Sequence, residues 1–258
     1  MLTFVGLGLY DERSITVEGR EAIAEADRVF AEFYTSRLVG TTVEDVEEFH
    51  DTTIEVRDRE GVEQDPEPIL EAAETGEAVF CTAGDTMIST THVDLRLRAH
   101  ERGIETRIVH GTTAAAAAAS LTGLQNYRFG KATTLPFPYG SMGVPGSVVE
   151  TIEANAERGL HTLVFLDIKR AEDRYMTAST AAGLLAEELG DRLGVAVCRA
   201  GSPEPVVVAD GLPALAEREF GDPLHMLVLP GDLHHVEREA LAALAGAPER
   251  LLGDERAG

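Results

Sequence analysis

The segment 83–92, reading AGDTMISTTH, limits what this chain can become more than any other stretch. An apolar run, Ala78-Val79-Phe80-Cys81, leads into it and has the length and residue types of a buried strand. Gly84 and Asp85 break the run, and Thr90, Thr91 and His92 open a helical pattern. A strand that stops at Gly-Asp and gives way to a helix is a building unit of open α/β sheets. Such sheets bind ligands in the crevice beyond the carboxyl ends of their strands.

The rest of the chain repeats the theme. Strand-like and helix-like stretches alternate over 258 residues, enough for one large or two modest α/β domains. Residues 2–7 read as a first strand, 16–26 as a helix and 28–33 as a second strand. Asp65 is placed to cap a helix with Pro66 in its first turn, ending at Gly76. A strand over 77–82, a helix over about 90–102, a strand over 104–109 and an alanine-rich helix over 112–121 follow. Residues 130–146, with Pro136, Pro138 and Pro145, show little periodicity. The domain boundary is expected before them, giving domains 1–122 and 123–258. The second domain should hold helices near 147–158, 176–189 and 212–220 and strands at 162–167, 194–199, 206–209 and 224–229. A last helix follows Gly231.

Composition narrows the function. With 45 acidic and 22 basic residues the formal charge is −23, and Lys131 and Lys169 are the only lysines. Such a surface suits a cytoplasm of very high salt, where the Debye length shrinks to ~3 Å at about 1 M and self-repulsion is screened. Unfolding on dialysis into dilute buffer is the expected outcome. No basic stripe is visible for nucleic-acid phosphates. No apolar run approaches the ~20 residues that cross a bilayer. The N-terminal residues lack the basic segment of a secretion signal. Cys81 and Cys198 read as buried thiols in a reducing cytosol.

Five segments carry polar groups at strand ends. Gly6 and Gly8, in VGLGLY, permit close backbone approach to a ligand. They do not make a dinucleotide fingerprint, because Asp11 stands where a third glycine belongs. Asp85 can meet a ligand amine or hydroxyl, or cap the next helix. HGTTA, at 110–114, offers free N–H groups and hydroxyls. FLDIKR, at 165–170, sets charges after a buried strand. PGDLHH, at 230–235, contains His234, which reads as a cap, a ligand contact or a solvated side chain. The histidines have no metal-binding spacing, so no metal is expected.

Taken in order, VGLGLYDERSIT, CTAGDTMISTTH, HGTTA, LPFPYG, TLVFLDIKRAEDRYMT, CRAGS and FGDPLHMLVLPGDLHHVE resemble the diphthine synthases, a branch of the tetrapyrrole methylases. The likeness runs from residue 1 to about residue 250. The wider family usually continues the first turn as G-x-G-P-G-D; here Leu9-Tyr10-Asp11 stands instead, which argues against a corrin or porphyrin substrate. The resemblance implies two α/β domains with the cofactor in a cleft between them, and S-adenosylmethionine as that cofactor, leaving as S-adenosylhomocysteine. It carries cofactor contacts onto Leu9, Asp85, Ile88, Thr113, Ala114, Leu166, Ala209 and His234. It also implies a homodimer acting on translation elongation factor 2. There the amino group of a histidine bearing a 3-carboxy-3-aminopropyl group is methylated, in archaeal members to the trimethylammonium.

Methyl transfer to an amine chiefly demands alignment of donor and nucleophile. No residue is singled out as a general base. Lys169 or Arg170 is expected to meet the substrate carboxylate, because both follow the strand ending at Leu166. Tyr34, Phe137, Tyr139 and Tyr175 are candidates to face the product cation. The competing readings are a superfamily methyltransferase for a corrin-type ring, a nucleotide-binding oxidoreductase and a non-catalytic module for the translation factor.

Overall fold

The computed structural model describes residues 1–139, 143–169 and 172–253. The chain divides into two compact units, Met1–Ala114 and Ala115–Gly258. This seam lies at the start of the alanine-rich helix, whereas the sequence placed it after residue 122, past that helix's end.

The first unit runs β1 (Leu2–Gly6), α1 (Val17–Ala24), β2 (Arg28–Glu32), α2 (Val43–His50), β3 (Ile54–Arg57), α3 (Arg59–Glu63), α4 (Glu67–Thr75), β4 (Ala78–Thr82), α5 (Val93–Glu101) and β5 (Thr106–Val109). Its five strands lie in the order β3-β2-β4-β1-β5, and every neighbouring pair is parallel. β1 and β4 are buried at every position, as strands covered on both faces must be. Phe4, Phe30 and Phe80 are fully buried on one face with Ile69, Leu70 and Leu95 from α4 and α5. Each large side chain removed from water in this way contributes about 1.5–3 kcal/mol. Val5, Val29, Val79 and Cys81 pack on the other face with Ile23 of α1 and Val46 of α2. The helix after β1 and the helix after β4 therefore cover opposite faces, which opens a crevice at the carboxyl ends of these two neighbouring strands.

Several local expectations change. Asp65 does not cap α4: Pro66 occupies the cap position without a side-chain bond. The capping carboxylate is Asp58, which accepts from Gly61 N at 2.8 Å and starts α3. α5 starts at Val93 rather than Thr90, with His92 at its cap position; just upstream, Ser89 has φ 58°, outside the right-handed helical region.

The second unit contains α6 (Ala114–Thr122), β6 (Thr133–Leu135), α7 (Gly146–Ala156), β7 (Thr162–Leu166), β8 (Ile168–Lys169), β9 (Arg174–Tyr175), α8 (Ala178–Leu189), β10 (Leu193–Cys198), β11 (Val206–Gly211), α9 (Leu212–Ala216), β12 (His225–Leu229) and α10 (His235–Ala245). The chain just past the end of α6 comes close to α10: a Cβ on Gly123 would stand 2.6 Å from that of Ala240. The sheet order is β11-β10-β12-β7-β6, with only β6 and β7 parallel. The short hairpin β8–β9 stands apart from it. Cys81 and Cys198 are free and buried, and burial pushes both thiols up to about 12.

Candidate functional site

Three loops meet where β4, β1 and β5 end side by side. Gly8 and Gly84 exchange backbone hydrogen bonds of 3.2 and 2.6 Å, and Leu7 N donates to Thr82 O at 2.8 Å. A Cβ on Gly6 would lie 2.5 Å from both Gly111 N and Gly84 O, and one on Gly111 would lie 2.1 Å from Gly84 O. The space freed by Gly6, where the sequence suggested a ligand, is thus taken by neighbouring main chain, as is the space at Gly111. Gly84 is different. It has φ 76°, and a Cβ there would find nothing within 4 Å. The result is a floor of backbone amides and carbonyls, open at Gly84.

Asp85 staples this floor together. Its Oδ1 accepts from Met87 N at 2.9 Å, and its Oδ2 accepts from His110 Nδ1 at 2.8 Å and Gly111 N at 3.2 Å. It does not cap α5, whose cap position is His92. The carboxylate is buried, while Ile88 three residues on is half exposed. Leu9, Thr113 and Ala114 are partly buried at the ends of the other two loops. The first unit therefore gathers Leu9, Asp85, Ile88, Thr113 and Ala114 at one sheet edge.

The departure at Leu9-Tyr10-Asp11 folds into a self-contained knot. Ser14 Oγ accepts from Tyr10 N and Asp11 N at 3.4 and 3.3 Å and donates to Asp11 Oδ1 at 3.0 Å. Gly40 N then donates to Tyr10 O at 2.8 Å.

In the second unit the sequence-derived residues are more dispersed. The register aligns Ala209 with Val195, Val195 with Val228, and Val228 with Leu163. Leu166 is three residues further along β7, about 10 Å from that row. Ala209 lies on the edge strand β11 and is fully buried, main chain included. His234, with its side chain exposed, occupies the cap position of α10. Lys169 sits on β8, its Nζ 4.0 Å from Glu172 and 5.7 Å from the Phe137 ring centre. Arg170 falls outside the described residues. Phe137 already carries Arg174 at 3.9 Å over its ring, and Tyr34 carries Arg59 at 4.9 Å. Tyr139 is 81% exposed, and Tyr175 is half-buried on β9.

Two buried Glu–His pairs escaped sequence reasoning. Glu32, at the end of β2, lies 3.5 Å from His92. Glu237, in the first turn of α10, accepts from His161 at 3.0 Å, Gln125 N at 2.9 Å, His234 N at 2.8 Å and Arg128 at 3.3 Å. Burial works to raise the Glu237 carboxyl, but these donors win and hold it below its ordinary value.

Residues 1–216 match the family model for tetrapyrrole (corrin/porphyrin) methylases. A curated diphthine synthase from Halorubrum lacusprofundi is 71% identical over 98% of this chain and 99% of its own length. One from Methanococcoides burtonii is 51% identical, covering 98% of each chain. A crystal structure of diphthine synthase superposes with TM-score 0.90 at 39% identity, over 97% of this chain and 98% of that one. The chain belongs to the tetrapyrrole methylases and, within them, to the diphthine synthase family. It is a methyltransferase, and a corrin substrate is not favoured. The acidic composition agrees with its relatives from halophilic archaea. Among the described residues no helix is long and apolar enough to cross a membrane.

Proposed function

We propose that the protein uses S-adenosylmethionine to methylate the amino group of the 3-carboxy-3-aminopropyl histidine of elongation factor 2, three times, in the cytoplasm and as a homodimer. The observation that carries this reading is the convergence of the loops after β1, β4 and β5 on one floor, in a chain aligned end to end with diphthine synthases.

The residues present fit the cofactor. The opening at Gly84 admits a ligand to bare backbone, Ile88 offers apolar contact to a flat base, and Oδ1 of Asp85, with one intramolecular donor, keeps a lone pair for a hydroxyl or ammonium. Leu9, Thr113 and Ala114 complete that set in the first unit; Leu166, Ala209 and His234 are the contributions of the second. Bound there, the sulfonium supplies an activated methyl group. The chain's own task is to orient: the Asp85 staple and the glycine floor fix the loops that set the donor's position. Lys169, and by sequence Arg170, supply positive charge for the substrate carboxylate. Each transfer exchanges one N–H proton for a methyl group, the proton passing to solvent. No metal takes part.

Mass spectrometry of elongation factor 2, pre-modified at its histidine and incubated with the protein and S-adenosylmethionine in high salt, tests the reading. A gain of three methyl groups on that residue supports it. Cofactor binding with no mass gain would reduce the protein to a binding module.

A further inference from the structure

A backbone N–H only donates, and a carbonyl or carboxylate only accepts, so the partners of a buried histidine dictate where its protons sit. His161 accepts from Gly231 N at Nδ1 (3.1 Å) and donates from Nε2 to Glu237. His225 accepts from Ala178 N at Nδ1 (3.1 Å) and donates from Nε2 to Asp222 O (2.8 Å). A neutral ring satisfies each. His92 faces two acceptors. The Thr86 carbonyl lies 3.0 Å from Nδ1 and the Glu32 carboxylate 3.5 Å from Nε2, with both side chains buried. Nδ1 must carry hydrogen to meet Thr86, which leaves a bare Nε2 opposite a carboxylate, without a hydrogen-bond partner.

The location matters as much as the chemistry. Thr86 lies between Asp85 and Ile88, and that turn contains Ser89 at φ 58°, a conformation costing about 1–3 kcal/mol that persists only where its surroundings impose it. His92 joins this turn to the end of β2. Its ring is held edge-on by Phe80 at 5.1 Å and Tyr34 at 6.4 Å. Glu32 is fixed in turn, accepting at Oε2 from Tyr34 N (2.8 Å) and Thr35 N (3.0 Å) and at Oε1 from the Thr35 hydroxyl.

We propose that His92 is a positioning residue for cofactor binding, tying the Asp85–Ile88 turn to β2 through the Thr86 carbonyl on one nitrogen and Glu32 on the other. The inference rests on the reading of that turn as a cofactor contact. The charged and titratable groups around the ring are Glu32 from β2, Glu63 from α3 and Tyr34 just beyond β2, which carries Arg59 over its own ring. Burial lowers the affinity of His92 for a second proton, while Glu32, the Thr86 carbonyl and Glu63 oppose it, so net protonation falls on the acid side of the ordinary value of 6.5. When the proton arrives, the ring donates to both acceptors and the tie strengthens.

The test is calorimetry of S-adenosylhomocysteine in high salt, from alkaline to mildly acid pH, with folding followed by circular dichroism. Wild-type affinity rises as pH falls below the ordinary histidine value. His92→Ala loses about tenfold in affinity, the worth of one positioned hydrogen bond. His92→Asn, whose amide N–H stands where Nδ1 does, recovers most of it with no pH dependence; His92→Gln does not recover it. Glu32→Gln keeps Oε2 for Tyr34 and Thr35 and turns an amide toward Nε2, so it binds well and also titrates flat. Equal losses in the Ala, Asn and Gln variants, or a pH dependence unchanged in Glu32→Gln, overturn the proposal. Ile88→Asp separates the two readings. If it leaves affinity intact, the cofactor reading of the turn falls and the proposal with it; if it weakens binding while His92→Ala does not, only the proposal falls.

Discussion

Each half of the molecule buries a glutamate against a histidine beside a loop of the candidate site, and the two pairs are built differently. In the second unit every polar atom of the pair is matched: the Glu237 carboxylate meets four donors, and His161 has a donor on one nitrogen and an acceptor on the other. In the first unit Glu32 is matched, but His92 stands between two acceptors. The same residue types serve as a static staple in one place and as a proton-sensitive joint in the other. Hydrogen-bond polarity, rather than residue identity or burial, decides which.

Removing the matched carboxylate should have the largest effect. Glu237→Ala strands four donors, the His161 ring fully buried and the other three partly so, and is expected to cost about 3–5 kcal/mol in chemical denaturation at high salt. A loss below about 1 kcal/mol would mean the network is slack. The two amide substitutions sharpen the contrast. Glu237→Gln must point its NH2 at groups that already donate and should lose about 1–3 kcal/mol, whereas Glu32→Gln places its NH2 opposite a lone pair and should stay within about 1 kcal/mol of wild type. Equal costs would erase the distinction between the pairs.

Acid should act more gradually. Burial depresses His161, His225 and His92, so the unfolded chain takes up protons first; their contribution is complete above the ordinary histidine value and is lost as pH falls through the depressed one. Glu237, also depressed, adds a second loss below its ordinary carboxylate range. Stability measured against pH should decline in those two steps, and Glu237→Gln should remove the lower one. A modest change is expected at the open glycine. Gly84→Ala meets no atom but must hold a positive φ, a cost of about 1–2 kcal/mol. Gly111→Ala, which collides with Gly84 O, should cost more.

The sequence made the strand before Gly84 legible because a run of buried residues in a parallel sheet needs no partner to be recognised. The turn's importance and the family likeness were legible for the same local reason. Other elements were not. β6 lies in a proline-rich stretch and exists by pairing with β7, and the β8–β9 hairpin has only two residues in each strand. Asp65 looked like a cap because Pro66 followed it, yet α4 starts without a side-chain cap; Asp58, without that signpost, caps the preceding helix α3. Nothing local in the sequence marks Glu32 or Glu237, because the donors that converge on Glu237 come from distant segments. The glycines ending β1 and β5 were visible, but that they face one another is a property of strand order.

The difference between the two pairs can be read directly from the imidazole nitrogen resonances of His92 and His161 as pH is lowered in high salt. His161 should stay a neutral Nε2–H ring until the fold itself gives way. His92 should begin as Nδ1–H and gain its second proton while the protein is still folded. A His92 ring that remains in one neutral state down to unfolding, or that carries its hydrogen on Nε2, would contradict that difference.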